Sequence, residues 1–180
     1  MDIFTHAIIG AIIAELALWK SDYQNRVRGR WIGAIIAASP DLGSAPGQFV
    51  FSWSFGDWPW VYDSRHWAGH ADSYWLLGYW FTHSLFVAAM IGGAVYLKGW
   101  QMWPAIAWAS HGIADVFTHT GVWSIWLLFP FPGQLEGFGD PWSGSPALWA
   151  ACILAGGVVW YFISVVTSNW RANALEPSGL

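Results

Sequence analysis

The chain has 180 residues, of which 56% are hydrophobic and only 10% are charged, and it contains 17 tryptophans. This composition excludes an ordinary soluble domain and indicates that lipid is the main solvent. The formal net charge is −4 and only 7 residues are basic, so a basic surface for nucleic acid is excluded and no nucleic-acid partner is expected.

Five apolar segments are long enough, or nearly so, to cross a hydrocarbon core roughly 30 Å thick as helices. Two loops rich in aromatic residues, 43–73 and 130–146, separate the second segment from the third and the fourth from the fifth. We therefore predict an all-α integral membrane helical bundle, one membrane domain covering 1–180. Its transmembrane helices, about five in number, are 3–19, 26–42, 74–97, 100–129 and 147–168.

Basic residues set the predicted orientation, because cytoplasmic loops collect lysine and arginine. If the N-terminus lies outside, six of the 7 basic residues face the cytoplasm and only Arg65 does not. Both aromatic loops then lie on the outer side, where tryptophan anchors at the membrane interface. The sequence thus predicts a multi-pass protein with its N-terminus outside and membrane lipid as a partner.

The fourth predicted span contains a polar stretch, residues 111–121, read HGIADVFTHTG. In a helix, His111 and Asp115 are at i and i+4, and Thr118 and His119 follow on the same face. Ionisable side chains at membrane depth are costly unless they are paired, hydrated or bound to an ion. Imidazole and carboxylate at this spacing can bind zinc, manganese or iron; polar contacts between helices are the alternative explanation.

Counting residues along each predicted span places the candidate ligands at similar depths. His6 lies at the outer end of the first span and Asp41 at the outer end of the second, where Pro40 and Asp41 are expected to end the helix. His83 lies roughly 13 Å below the outer end of the third. His111 is near mid-depth of the fourth and Asp115 is closer to the outer surface. Polar residues of four helices are therefore predicted to share one site.

The tripeptide Phe-Thr-His occurs three times, ending at His6, His83 and His119. The threonine before each histidine could hydrogen-bond to neighbouring groups and help to hold the ring. His66 and His70, in the loop 43–73, are interpreted as a lid or a surface pair rather than as a primary site.

Short motifs on most of the first four spans follow a recognisable order: Thr5, His6 and Gly10; Pro40 and Asp41; Thr82, His83 and Ser84; His111, Asp115, Thr118 and Gly121. This order resembles the family of bacterial inner-membrane-bound metal-dependent hydrolases, whose motif layout is faintly similar to zinc-dependent phospholipase C. The resemblance implies a metallohydrolase of the bacterial inner membrane with one or two divalent metal ions, zinc first. The ligands that it implies are His6, Asp41, His83, His111 and Asp115.

The chain departs from the family pattern at two places. The family often has a second acid two residues after the Pro-Asp pair, where this chain has Gly43. It also tends to have His-Arg-Gly at the positions that are 78–80 here, read GYW. These changes remove a candidate ligand and a candidate phosphate clamp. His66, His70 or His119 could compensate, and a pseudoenzyme that keeps the scaffold is the other interpretation.

The leading hypothesis is a membrane-bound metal-dependent hydrolase of a phosphoester or other ester in an amphipathic substrate at the outer leaflet, with water activated by the metal as nucleophile. His119 and Asp2 are the candidate catalytic residues, as acid, base or further ligand. One alternative is a non-catalytic membrane subunit that packs in a larger membrane protein complex. Another is a haem site with His83 and a histidine of the fourth span as axial ligands.

Overall fold

Helices form in the apolar stretches, and the second helix also includes the basic stretch 26–30 that follows the first apolar one. The computed structural model describes residues 3–54, 74–138 and 146–175. Within these ranges the chain forms no β-strand beyond one isolated bridge between Ile125 and Leu135, so the all-α prediction is confirmed. The helices are α1 (Ile3–Ala17), α2 (Tyr23–Ser54), α3 (Tyr74–His83), α4 (Leu85–Leu97), α5 (Trp103–Val116) and α6 (Pro146–Leu175).

Helices α1 and α2 form a hairpin in which the two backbones touch. A Cβ atom built on Gly10 would lie 2.1 Å from the carbonyl oxygen of Gly33, and one built on Gly33 would lie 2.3 Å from that of Gly10. Small residues permit such close approach between membrane helices. Asp22 caps α2, since its Oδ1 accepts the backbone N–H of Asn25 at 2.9 Å. This hydrogen bond lowers the pKa of the exposed Asp22 carboxyl below its usual value.

Helix α2 continues through Pro40, so the predicted helix end at Pro40 and Asp41 is wrong. A proline within a helix leaves the carbonyl of residue i−4 without its usual donor. Here that carbonyl belongs to Ile36, and it accepts the hydroxyl of Ser39 at 2.7 Å instead. The proline is also fully buried. Packing and a substitute hydrogen bond therefore keep the helix intact.

The predicted third span, 74–97, is broken rather than continuous. Helices α3 and α4 meet at Ser84 with a bend of 54°, because Ser84 has an extended backbone and its hydroxyl caps the first turn of α4. The same hydroxyl donates to the carbonyl of Phe129 at 2.9 Å, and the N–H of Leu85 donates to the carbonyl of Leu127 at 2.8 Å. The segment after α5 thus binds the polar groups that the break exposes.

The predicted fourth span, 100–129, is helical only between Trp103 and Val116, and the rest of that prediction is wrong. The carbonyl of Asp115 accepts two N–H groups from the following turn at 3.0 Å, which closes the helix. Gly121 then adopts a φ of 63°, a left-handed conformation that glycine accepts without strain.

The non-helical segment that follows α5 packs its aromatic residues against α3. Tyr79, Trp80, Trp123 and Ile125 form a buried hydrophobic cluster. The rings of Tyr79 and Trp123 meet edge to face at 5.2 Å. This aromatic cluster lies next to the end of α3 and therefore fixes the position of His83.

The first predicted loop is shorter than the sequence indicated, whereas the non-helical segment that contains the second begins earlier, at Phe117. Residues 43–54 of the predicted loop 43–73 belong to α2, which corrects that boundary; residues 55–73 lie outside the described residues. In the predicted loop 130–146, residues 130–138 are not helical and residues 139–145 lie outside the described residues. The predicted fifth span falls within α6.

Helix α6 contains the clearest candidate for a membrane span. Its stretch Ala150–Trp170 has 21 residues with a mean hydropathy of 2.0, and only 6% of the apolar window is buried. The pair α3 and α4 is apolar enough only when both halves count as one bent crossing, and α1 is apolar but shorter. The described residues thus provide one candidate span, or two with the bent pair, and the five-span bundle stays a prediction.

Candidate metal centre

Three helices bring two aspartates and two histidines together in the core. Helix α2 supplies Asp41, the end of α3 supplies His83, and α5 supplies His111 and Asp115. One ligand atom of each side chain lies within 4.8 Å of those of the other three. His83, His111 and Asp115 are buried, whereas the Asp41 side chain is 24% exposed. This cluster, the metal centre below, therefore reaches the surface through Asp41.

The distances between these atoms are those of ligands that share one ion. Nε2 of His111 lies 2.9 Å from Nε2 of His83 and 3.1 Å from Oδ2 of Asp115. Oδ1 of Asp41 lies 3.4 Å from the His111 nitrogen and 3.6 Å from the His83 nitrogen. Ligands about 2.1 Å from a tetrahedral zinc ion are about 3.4 Å apart. The four side chains therefore fit a divalent metal.

Two main-chain carbonyls fix the proton positions on the histidine rings. Nδ1–H of His111 donates to the carbonyl of Ala37 at 2.6 Å, and Nδ1–H of His83 donates to that of Tyr79 at 2.7 Å. A neutral imidazole with its proton on Nδ1 carries a lone pair on Nε2, so two lone pairs would face each other at 2.9 Å if both rings were neutral. A shared proton or a cation between them removes this repulsion, and ligating histidines are commonly oriented by such carbonyls.

His6 and His119 contact the second oxygen of Asp115. Nε2 of His6 lies 3.0 Å from Oδ1 of Asp115, and the His6 ring stacks on that of His111 with centroids 3.6 Å apart. Nδ1 of His119 lies 3.4 Å from the same oxygen. Asp115 thus meets His83 and His111 through Oδ2 and the other two histidines through Oδ1.

His119 follows the end of α5 in a buried position. Its side chain is only 4% exposed. Nδ1–H of His119 faces the carbonyl of Asp115 at 3.3 Å and the hydroxyl of Thr118 at 3.1 Å. The lone pair of the ring is therefore on Nε2, which suits a base or a ligand.

The structure brings together four of the five predicted ligands, namely Asp41, His83, His111 and Asp115. The fifth, His6, lies beside this set and contacts Asp115 and His111. The candidate catalytic residue His119 is adjacent, whereas Asp2, the other one, lies outside the described residues, as do His66 and His70. The role of these side chains as metal ligands or catalytic groups stays a prediction.

The threonines that precede His83 and His119 in their Phe-Thr-His repeats contact the histidine rings. The hydroxyl of Thr82 lies 3.1 Å from Nδ1 of His83, and that of Thr118 lies 3.1 Å from Nδ1 of His119. In both repeats the threonine therefore helps to hold the ring, as the sequence interpretation proposed.

Sequence reasoning missed how closely α5 approaches the end of α3. A Cβ atom on Gly112 would lie 2.3 Å from the carbonyl oxygen of His83, and Nε1–H of Trp108 donates to the carbonyl of Thr82 at 2.9 Å. These contacts fix His83 relative to His111. The signal in the sequence was Gly112 itself, because a glycine inside a regular helical pattern commonly marks a close contact with another element.

Comparison with known protein families places nearly the whole chain in one family. A model of the YdjM inner membrane protein family matches residues 1–175. The chain belongs to this family. No curated protein and no solved structure matches it. Membership in the YdjM family supports the predicted inner-membrane location; the family description says nothing of metal or hydrolysis.

In this YdjM-family chain, the departure at positions 78–80 has a packing role. Tyr79 and Trp80 are buried. The hydroxyl of Tyr79 donates to the carbonyl of Trp123 at 3.1 Å, and its ring centroid lies 4.0 Å from that of His83. Where the resembled hydrolases tend to have histidine and arginine, this chain therefore has a glycine and an aromatic residue that orients His83.

Proposed function

We propose that this YdjM-family protein is a membrane-bound metal-dependent hydrolase that acts on a phosphoester or another ester of an amphipathic substrate. The observation that carries the proposal is the meeting of two histidine Nε2 atoms and two carboxylates in a largely buried cluster. Acceptors and anions gathered in this way are costly to bury without a cation. Imidazole nitrogen and carboxylate oxygen are also the ligands that zinc and related divalent ions prefer.

The metal would be held by Asp41, His83, His111 and Asp115, with zinc as the first choice. His6 would add a ligand, either to the same ion or to a second one on the Oδ1 side of Asp115. When bound, a divalent ion polarises an ester or phosphoryl oxygen and lowers the pKa of water.

Two side chains of the proposed enzyme would move protons. In its neutral form His119 would carry its lone pair on Nε2, because Nδ1 faces the carbonyl of Asp115, so it could accept a proton from water and return it to the leaving group. Asp2 is the second candidate for this role. The exposed part of Asp41 marks the side from which a substrate would reach the cluster.

The proposal includes a multi-pass topology with about five crossings and the N-terminus outside, so that the substrate would be met at the outer leaflet. Its support is the distribution of basic residues and the apolar character of α1, the pair α3 and α4, and α6. Gln24→Cys and Ser54→Cys, made separately in a Cys152→Ser background, should label from opposite sides of sealed vesicles with a membrane-impermeant maleimide. Labelling of both from one side would overturn this topology.

Elemental analysis of the protein purified in detergent tests the metal centre. We expect about one or two divalent ions per chain in the wild type and loss of bound metal in Asp115→Asn, because a ligand charge is removed. Asp22→Asn is the matched control, since it makes the same chemical change at an exposed carboxylate. Full occupancy in an Asp115→Asn, His111→Ala double variant would refute the site.

Hydrolysis is tested separately, with a chromogenic phosphodiester and a chromogenic carboxylic ester, both amphipathic, in mixed micelles. Activity should disappear with a chelator and return with zinc. His119→Asn should lower the rate by about 10²–10⁴-fold, the usual contribution of an acid or base, while the metal content stays unchanged. Unaltered activity in His119→Asn would remove this residue from the mechanism.

A non-catalytic membrane subunit that packs in a larger membrane protein complex is the second candidate. It is favoured by the aromatic packing of Tyr79 and Trp80 at positions where the resembled hydrolases tend to have arginine and glycine. A preparation that retains its metal but hydrolyses neither substrate class would support this candidate over the enzyme.

A further inference from the structure

A second polar cluster is buried between α1, α2 and α6. Glu15 is fully buried, and its Oε1 accepts Nη1–H of Arg26 at 3.0 Å and the hydroxyl of Thr167 at 2.9 Å. Its Oε2 accepts Nε–H of Arg30. In these four residues, named the Glu15 cluster below, one carboxylate therefore faces two guanidinium groups. The cluster has an excess positive charge, which is costly at membrane depth unless an anion accompanies it.

An apolar groove of about 680 Å³ runs between the same three helices and includes Arg30. Along α2 it extends from Tyr23 to Ala34, about 16 Å at 1.5 Å per residue. Arg30 lies within this stretch, about 6 Å along the helix from Ala34 and about 10 Å from Tyr23. Most of the remaining wall is apolar and includes Phe4, Ile8, Ala11, Val27, Trp31 and Ile153.

Arg30 is held with its terminal nitrogens available to a ligand. Its Nε is bound to Glu15, and its guanidinium group lies 6.0 Å from the ring centroid of Trp160, which also lines the groove. Neither Nη atom of Arg30 donates a hydrogen bond to any of the residues that the structure describes. The side chain is 21% exposed. The groove therefore has one cationic donor group beside a long apolar wall.

We propose that this groove binds an anionic phospholipid, with one acyl chain along the apolar wall and the phosphate at Arg30. A guanidinium group donates two parallel hydrogen bonds to phosphate, and the phosphate charge offsets the excess charge of the Glu15 cluster. Basic pockets between membrane helices on the cytoplasmic side bind such headgroups, and the predicted orientation puts Arg30 on that side. This inference does not rest on the proposed hydrolase function, because the groove and the metal centre use different side chains.

Native mass spectrometry of the delipidated full-length protein in detergent tests the proposal, with phosphatidylglycerol, phosphatidylcholine and inorganic phosphate as probes. We expect one phosphatidylglycerol per chain, bound at least about tenfold more tightly than phosphatidylcholine. Arg30→Gln should weaken phosphatidylglycerol binding by about tenfold or more, since it removes charge-assisted hydrogen bonds. Arg28→Gln is the matched control: it makes the same change at an exposed position of α2 and should alter the affinity by less than about twofold.

Arg30→Gln also removes an ion pair with Glu15, so a second variant leaves every charge in place. Ala34→Phe puts a ring into the groove and should weaken phosphatidylglycerol binding by about tenfold. Four results would each overturn the proposal: equal binding of the two lipids, Arg28→Gln as harmful as Arg30→Gln, no effect of Ala34→Phe, or displacement of the lipid by equimolar inorganic phosphate. A wild-type protein that binds no lipid, because another segment or a partner fills the groove, would overturn it too.

Discussion

The chain buries two polar clusters of opposite character. In the metal centre, two carboxylates and two histidine Nε2 atoms meet, so two negative charges share one largely buried cluster. In the Glu15 cluster, two guanidinium groups and a hydroxyl surround one carboxylate, so each carboxylate oxygen has a donor. Buried polar groups are stable when they are matched and otherwise require a further partner. We propose on this ground that the first cluster holds a cation, and that the second holds helices together with one charge left for an anion.

The same helical hairpin contributes to both clusters, which makes each a control for the other. Helix α1 carries His6 and Glu15, and α2 carries Asp41 with Arg26 and Arg30. A variant that damages the hairpin as a whole should affect both clusters, whereas a specific one should affect only its own.

The largest expected effect is a difference in unfolding free energy between a variant of the Glu15 cluster and a variant of the metal centre, both measured without metal. Glu15→Gln leaves two buried guanidinium groups without their carboxylate and should lower the free energy of unfolding by about 3–5 kcal/mol. Asp115→Asn replaces an acceptor with a group that can also donate, so it should leave stability unchanged or raise it. The measurement is equilibrium unfolding in detergent with a chelator present, followed by far-UV circular dichroism. Equal losses in the two variants would contradict the distinction.

Adding zinc should make the wild type more stable than Asp115→Asn, which is the reverse of the order expected without metal. Zinc at about 100 times its dissociation constant should stabilise the wild type by about 2.7 kcal/mol, seen as a rise in the unfolding midpoint. Asp115→Asn should lose this rise, and Arg30→Lys, in the other cluster, should keep it. A zinc-induced rise in Asp115→Asn as large as in the wild type would place the ion elsewhere.

The sequence predicted the helical class from its apolar runs, and it pointed to the residues of the metal centre through a resemblance of short motifs and through their depth in the predicted spans. Apolar runs of helical length predict helices, and the rise of 1.5 Å per residue places polar residues in depth. The depth argument placed Asp41 near His83 even though the helix end predicted at Pro40 was wrong.

The sequence did not predict the end of α5 or the Glu15 cluster, for different physical reasons. Hydropathy does not distinguish residues that face lipid from residues that form a protein core, and Trp123 and Ile125 belong to a core. The contact of Glu15 with Arg26 and Arg30 depends on the register of the hairpin. That register is set by the contact of Gly10 with Gly33, which no periodicity reveals.

A smaller effect should come from the close approach of α5 to the end of α3. Gly112→Ala would put a Cβ atom 2.3 Å from the carbonyl oxygen of His83, so the helices must separate. We expect a loss of about 1–3 kcal/mol in unfolding free energy and metal affinity lowered by about 10–100-fold. Gly93→Ala in α4 is the control, since nothing lies within 4 Å of its Cβ position; it should not destabilise the protein. Normal zinc binding in Gly112→Ala would show that this contact does not position His83.

The smallest effect compares one threonine from each cluster. The hydroxyl of Thr167 donates to Glu15 in the buried ion-pair network. Thr167→Val should therefore lower the free energy of unfolding by about 0.6–1.7 kcal/mol, which are the average and the maximum measured for hydrogen bonds between membrane helices. Thr82 instead supports the Nδ1 side of His83, which the carbonyl of Tyr79 also holds at a shorter distance. Because one support remains, Thr82→Val should change the unfolding midpoint little and lower zinc affinity by less than about tenfold. If Thr167→Val lowered zinc affinity and Thr82→Val lowered stability, the assignment of one cluster to a cation and the other to helix packing would be reversed.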